Sequence, residues 1–199
     1  MSNEVNIIPL GEVAGVIPGV ATRTLGLGDS DRQHRVLTVR ALTDLGIDVT
    51  GIAELEVLGK ISDEQRLQAG DVLLPARSTR VTAVIVPAEL DGTPINATLV
   101  VVRCGPMLSP HVLAAYLNHP DGQLAIAAAA QSGTAQVNLT AAALRRLPVP
   151  VPLKAQQERF AALLVAAEEA YTTAIEAAGM RLRLARSAVL DQLKQDKEN

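Results

Sequence analysis

The chain has 199 residues, 48% hydrophobic and 20% charged, enough apolar content to bury a core and too much for a disordered polypeptide. A formal charge of −3 and a pI near 5.6 lack the basic footprint of a free-standing nucleic-acid binder, so any DNA contact is expected through a local patch, with a partner supplying much of the phosphate affinity. Tyr116, Phe160 and Tyr171 are the only aromatic residues, which argues against a row of stacking rings, and the single Cys104 excludes an internal disulfide or a cysteine-built zinc cluster.

No apolar run approaches the roughly 18 residues of a membrane span, and the first residues lack the pattern of a signal peptide. A soluble, cytoplasmic protein without membrane contact is expected. Residues 1–105 alternate short apolar stretches with turn signals, the pattern of a β-rich body. Strands are expected at 36–39, 52–58, 72–74, 81–86 and 98–103. Turns are expected at Gly26-Leu27-Gly28-Asp29, Ala69-Gly70-Asp71 and Leu90-Asp91-Gly92-Thr93-Pro94. Residues 106–147 switch to helical signals. Ser109 before Pro110 reads as an N-cap with proline at the first helical position, opening a helix through Tyr116 that His119-Pro120-Asp121-Gly122 breaks. Residues 123–130 read as helix from their alanine content, 131–138 as a polar loop or hairpin tip, and Thr140 as the cap of a brief turn at 141–146.

In the stretch Leu147-Pro148-Val149-Pro150-Val151-Pro152-Leu153, alternating prolines forbid helix and interior strand, leaving a stiff extended connector over 148–153. From Lys154 to about residue 194 there is no proline and one glycine, Gly179. Apolar residues recur there at Phe160, Leu164, Ala167, Tyr171, Ile175, Ala178, Leu182, Ala185, Val189 and Leu193, steps of three and four that form one stripe on one helix face. A helix of about 40 residues runs about 60 Å, longer than the core of a small domain can cover, so the stripe needs a second long helix. Either the helix folds back near Gly179 or it pairs with another chain. Met180-Arg181-Leu182-Arg183 continues the pattern without turn chemistry and favours pairing. The fold class expected is therefore α+β: a β-rich domain with short helices over 1–147, the connector, and one long coiled-coil-forming helix over 154–195.

Catalytic signatures are absent. No Walker A loop occurs, and Gly26-Leu27-Gly28 lacks the third glycine of a dinucleotide loop. His34, His111 and His119 have no partner at metal-ligand spacing, so neither metal nor cofactor is expected. Cys104 follows a strand-like run and reads as a structural thiol. Glu54 and Glu56, two apart on a strand, read as a solvated face. What remains is arginine placed beside polar loops. Arg23, Arg32, His34 and Arg35 share one segment, and Arg77-Ser78-Thr79-Arg80 follows a strand directly. Gln131, Gly133, Thr134, Gln136 and Asn138 belong to a loop whose amides and hydroxyls suit base edges or phosphates. Each loop alone is ordinary; the three on one β-rich body with a pairing helix point to DNA recognition. Residues 1–150 hold 11 Lys+Arg against 14 Asp+Glu, with Lys60 the only lysine, so arginine carries the cationic chemistry there.

The chain resembles the specificity subunits of type I restriction–modification enzymes. The resemblance lies in Ile8-Pro9-Leu10-Gly11-Glu12-Val13, in Gly70-Asp71-Val72-Leu73-Leu74-Pro75-Ala76-Arg77, in the helix ending Ala115-Tyr116-Leu117, in Gln131-Ser132-Gly133 with Val137-Asn138-Leu139, and above all in the proline ladder followed by Gln156-Gln157-Glu158-Arg159-Phe160. It implies a non-catalytic subunit that recognises double-stranded DNA and positions methyltransferase (modification) subunits, with a restriction subunit where the complex cleaves. It also implies a half-sized form, with one target-recognition domain and one helix where the family has two of each. Such a half subunit would act as a homodimer with antiparallel helices on a bipartite, inverted-repeat site. Three rivals stand beside it: a recognition domain serving another effector; a protein-interaction adaptor that uses its long helix without DNA, which the acidic pI suits; and, lowest of the three, an enzyme in its own right, for which the sequence assembles no nucleophile, acid–base pair or metal site.

Overall fold

The computed structural model describes residues 5–23, 33–43, 46–130 and 137–198, with side chains as far as Gln192 and at Lys194. The chain forms two compact units, Met1–Ala161 and Ala162–Asn199. The first unit opens with β1 (Asn6–Pro9), the one-turn helix α1 (Leu10–Val13), β2 (Ala14–Pro18), β3 (Thr22–Arg23) and β4 (Gln33–Leu37). Next come β5 (Leu42–Thr43), β6 (Gly46–Ile47), β7 (Ile52–Val57), β8 (Val72–Pro75), β9 (Arg77–Ser78), β10 (Val84–Ile85) and β11 (Leu99–Cys104). Helices α2 (Pro110–Asn118) and α3 (Pro120–Ala129), strand β12 (Val137–Asn138), helix α4 (Ala141–Arg145) and strand β13 (Pro148–Val151) precede α5 (Lys154–Glu198). The architecture is α+β, as the sequence implies.

The centre is a four-stranded antiparallel sheet in the order β10-β8-β11-β2. Both of its faces are covered. Val72, Leu74, Val100 and Val102 pack with Leu10, Leu113, Leu117, Ile126 and Leu144. On the opposite face Leu73, Leu99 and Val101 pack with Leu37, Leu67, Leu90 and Ile95. Strands buried on both faces carry unbroken apolar runs rather than alternation, which is why 72–74 and 98–102 are so plainly legible.

Polar groups tie this sheet together where the sequence gives no hint of it. Asp71, 2% exposed, takes a bidentate pair from Arg103 (Nε–Oδ1 2.9 Å, Nη2–Oδ2 2.8 Å) and also accepts from the Gln68 amide at 2.8 Å. Gly70 before it stands at φ +86°, a conformation glycine reaches without steric cost. The Asn118 amide bonds both the N–H and the carbonyl of Ala83, each at 2.8 Å, extending the edge at β10 much as a further strand would.

Three expectations are revised. The stretch 148–153 is more than a connector, because β13 pairs antiparallel with β1 and buries Val149 completely. A two-stranded ribbon needs ladder donors on one side only, so Pro148 and Pro150 are tolerated there. The break after α2 is a single residue, His119, whose Nδ1 accepts from the Asp121 amide at 3.3 Å while Pro120 starts α3. Gly122 is required at this junction, since a Cβ there would stand 2.0 Å from the Tyr116 carbonyl oxygen. Finally, Glu56 is buried rather than solvated, whereas Glu54 is exposed.

Ser109 makes no side-chain cap; its N–H instead donates to Gln157 Oε1 at 2.6 Å. Gln157 Nε2 donates to the carbonyls of Met107 and Pro152 at 2.9 and 2.7 Å, anchoring the first turn of α5 on the chain before α2. Thr140 caps α4 as expected, accepting from Ala143 N at 3.1 Å. Helix α5 continues through Gly179 without a break, so the chain does not fold back there. Its stripe is open to solvent: Phe160, Tyr171, Ile175, Leu182 and Val189 are between 44% and 56% exposed. Ala167, Ala178 and Ala185 are exposed and Leu164 is half-buried, while the Leu193 side chain lies outside the described residues. Among the described residues no helix is long and apolar enough to cross a membrane.

Candidate nucleic-acid interface

Strand β8 is wholly buried and is followed by Ala76, whose N–H donates to Thr98 O and whose carbonyl accepts from Leu139 N, both at 2.8 Å. These bonds turn the chain out of the core. Beyond them β9 pairs antiparallel with β12, setting Arg77 opposite Asn138 and Ser78 opposite Val137. The Arg77–Arg80 segment is thereby set beside Val137 and Asn138, the described end of the second polar stretch singled out in the sequence. Ser78 Oγ accepts from the Arg80 amide at 3.2 Å and shapes the bend, leaving Arg77, Thr79 and Arg80 exposed. Ser78 and Arg80, with Val39, Leu42, Thr43, Pro75 and Thr82, line a groove of about 310 Å³.

Of the third segment, Arg23, His34 and Arg35 stand on the sheet β3-β7-β4. Here Arg23 is held in a bidentate pair with Glu56, Nε–Oε2 at 2.8 Å and Nη2–Oε1 at 2.7 Å, which raises the pKa of its guanidinium further. That pairing explains why a carboxylate can sit almost fully buried at Glu56. Arg23 keeps most of its surface in water and lines a groove of about 750 Å³ with Thr22, Thr38, Arg40, Thr50, Asn96 and Thr98. Val39 lines this groove too, so the Arg23 hollow and the Arg80 hollow meet across the short turn at Val39–Ala41. The Val39 amide donates to Thr98 Oγ1 at 3.1 Å, and Thr98 bonds Asn96 in turn, which fixes that turn.

His34 and Arg35 do not act together, because neighbours on a strand face opposite ways. Arg35 stands across from Glu54 and lines a hollow of about 450 Å³ with Val49, Ile52 and residues 89–94. His34 lines a separate hollow of about 580 Å³ with Lys60 and Arg66. Arg32, Gln131, Gly133, Thr134 and Gln136 lie outside the described residues. Sequence reasoning placed none of Arg40, Lys60 and Arg66, which line these hollows, among the candidate residues. Arg40 directly follows a predicted strand and Lys60 is the one lysine of its region, signals that could have drawn notice; Arg66 donates to the Gly92 carbonyl at 3.1 Å and has no such marker.

Neither a family model nor a curated protein matches the chain. Solved structures do. The HsdS subunit from Thermoanaerobacter tengcongensis aligns over 89% of this chain with a TM-score of 0.58 at 18% identity. A chain from a structure on complex assembly and conformational transition of the type I R-M system aligns over 87%, with a TM-score of 0.58 at 17% identity. The type I restriction–modification S subunit from M. genitalium aligns over 85%, with a TM-score of 0.51 at 13% identity. Matched lengths are 40%, 40% and 41% of those chains. The chain has the fold of the specificity subunits of type I restriction–modification systems, and spans about two fifths of the length of those it matches.

Proposed function

We propose that this chain is the sequence-specific DNA-recognition subunit of a type I-like restriction–modification system, acting in the cytoplasm without catalysis of its own. It directs methyltransferase subunits, and a restriction subunit where the complex cleaves, to a bipartite site. The observation that carries the reading is the specificity-subunit fold over nearly the whole chain. The paired tips at Arg77–Ser78 and Val137–Asn138 support it, as do the two grooves that share Val39, one with Arg80 and the other with Arg23 and Arg40. Together they offer guanidinium forks and amides on one β-rich unit, the side chains that read guanine and adenine edges. Two copies joined through α5 would present two such readers, and two-fold symmetry then demands an inverted repeat with an uncontacted spacer. The net charge of −3 fits a division of labour in which the methyltransferase subunits hold much of the phosphate backbone.

The test is selection from random duplexes by the chain together with its co-purified methyltransferase partner. An inverted repeat with a fixed spacer is the expected product. A single asymmetric half-site would overturn the homodimer reading. Binding that is absent, or indifferent to salt, would favour the adaptor reading instead.

A further inference from the structure

Arg23 differs in kind from the other cations of the β-rich unit. It stands on the edge strand β3, directly opposite Glu56 on the central strand β7, so both side chains rise from one face of the sheet. Glu56 is 4% exposed, whereas the Arg23 side chain keeps 61% of its surface in water. The carboxylate is the fixed member of the pair and the guanidinium the presented one. A guanidinium carries five N–H donors in a rigid plane. Glu56 takes the edge formed by Nε and Nη2, at 2.8 and 2.7 Å, and is the only hydrogen-bond partner of Arg23 among the described residues. The edge formed by Nη1 and Nη2, two parallel donors, remains for a ligand. In the groove that Arg23 lines, Arg40 is the other cation, and Thr22, Thr38, Thr50, Asn96 and Thr98 are uncharged.

We infer that Glu56 is a positioning residue for base readout, holding Arg23 so that its Nη1–Nη2 edge meets the O6 and N7 acceptors of one guanine in the major groove. This rests on the DNA-recognition reading above and adds which base is read at this point, and by what arrangement. Guanine presents two adjacent acceptors there, whereas adenine presents an acceptor beside a donor, so two parallel N–H groups select guanine. A phosphate would also accept from both, but the pair suits one poorly. Glu56 cancels the charge of Arg23 and sets a carboxylate beside any anion bound to it, which removes much of the attraction that makes arginine a phosphate ligand. What survives is direction. A side chain that has already given up its rotamer freedom to Glu56 loses little more on meeting a base edge.

The experiment uses the full chain with its co-purified methyltransferase partner and the duplex which that complex selects. Glu56→Gln keeps the size of the side chain but turns a donor toward the guanidinium in place of one acceptor. Preference for guanine at one position should fall about tenfold while the other positions keep theirs. Binding to a non-cognate duplex should stay level or tighten, because a negative charge has gone. A purely structural role for Glu56 would instead weaken every duplex together. Replacing that guanine by 7-deazaguanine, which lacks the N7 acceptor, should weaken the wild-type complex about fivefold, the worth of one hydrogen bond, and leave the variant nearly unmoved. Should Glu56→Gln fail to fold, Arg23→Lys keeps a cation on the buried carboxylate, removes the fork and should lose the same preference. An unchanged base profile, a uniform loss on all duplexes, or a selected site indifferent to 7-deazaguanine would overturn this assignment while leaving DNA recognition standing. A complex that selects no sequence would overturn both.

Discussion

At the scale of single residues, the chemistry that sets this chain apart is the placement of cations. Arg77 is held by strand pairing opposite Asn138, a geometry suited to forked contact with a base edge. Arg77→Ala is expected to cost about 1–3 kcal/mol at one position of the recognised site and to relax the preference there alone. Lys60→Ala, removing a point charge from the hollow of His34 and Arg66, should weaken all sequences alike and lower the salt slope by about one. Binding isotherms across a salt series on matched and mismatched duplexes check both. Cys104 is a contrasting case. Burial, with a lesser contribution from Asp71, pushes its thiol up to about 12. At pH 8 a disulfide reagent should modify it far more slowly than a free cysteine, and at the ordinary rate once the chain is unfolded. The folded thiol keeps its proton to higher pH than the unfolded one. Its contribution to stability is thus complete below the ordinary value of 9.0 and fades as pH climbs toward about 12.

Elements are joined here by a few buried polar links as much as by apolar packing. Asp71, just before β8, and Arg103, on β11, form the strongest of these, with Arg103 also donating to Arg66 O at 2.8 Å. Asp71→Asn would leave a partly buried guanidinium without its countercharge. The expected loss is about 3 kcal/mol, the low end for a broken buried pair because Arg103 keeps 23% of its side chain exposed. A urea titration should show a lower midpoint at unchanged slope, and a shift worth less than about 0.5 kcal/mol would mean that water replaces the carboxylate. The same two residues show where sequence reading stops. The apolar runs at 72–74 and 98–103 and the stripe of α5 are local signals, so the elements they form were legible. Cross-strand partners are not local: nothing near Glu56 in the chain announces Arg23, 33 residues away, so its burial was unreadable. The proline ladder misled for a similar reason, because whether an extended stretch pairs depends on a distant β1. At the interface, Arg77 and Asn138 were both singled out, but their adjacency depends on a register that only the fold supplies. Arg40 and Arg66 went unnoticed, and Lys60 was remarked only as the lone lysine of its region, because the hollows they line are assembled from separate strands and turns.

The molecule as a whole combines a β-rich unit with a long helix bearing an exposed apolar stripe, which no second long helix accompanies among the described residues. That stripe advances nine steps between Phe160 and Leu193, a mean near 3.67 residues, which is the period of an eleven-residue repeat and of slightly right-handed rather than left-handed pairing. Such a helix behaves as a vernier. Eleven helical residues inserted after Leu164 would bring the chain back to the same angular phase while adding about 16 Å to each copy, or about one duplex turn across an antiparallel pair. The half-site sequences selected by that variant should be unchanged and their separation longer by about ten base pairs; an unaltered gap would mean that something other than α5 sets the stride between the two contacts.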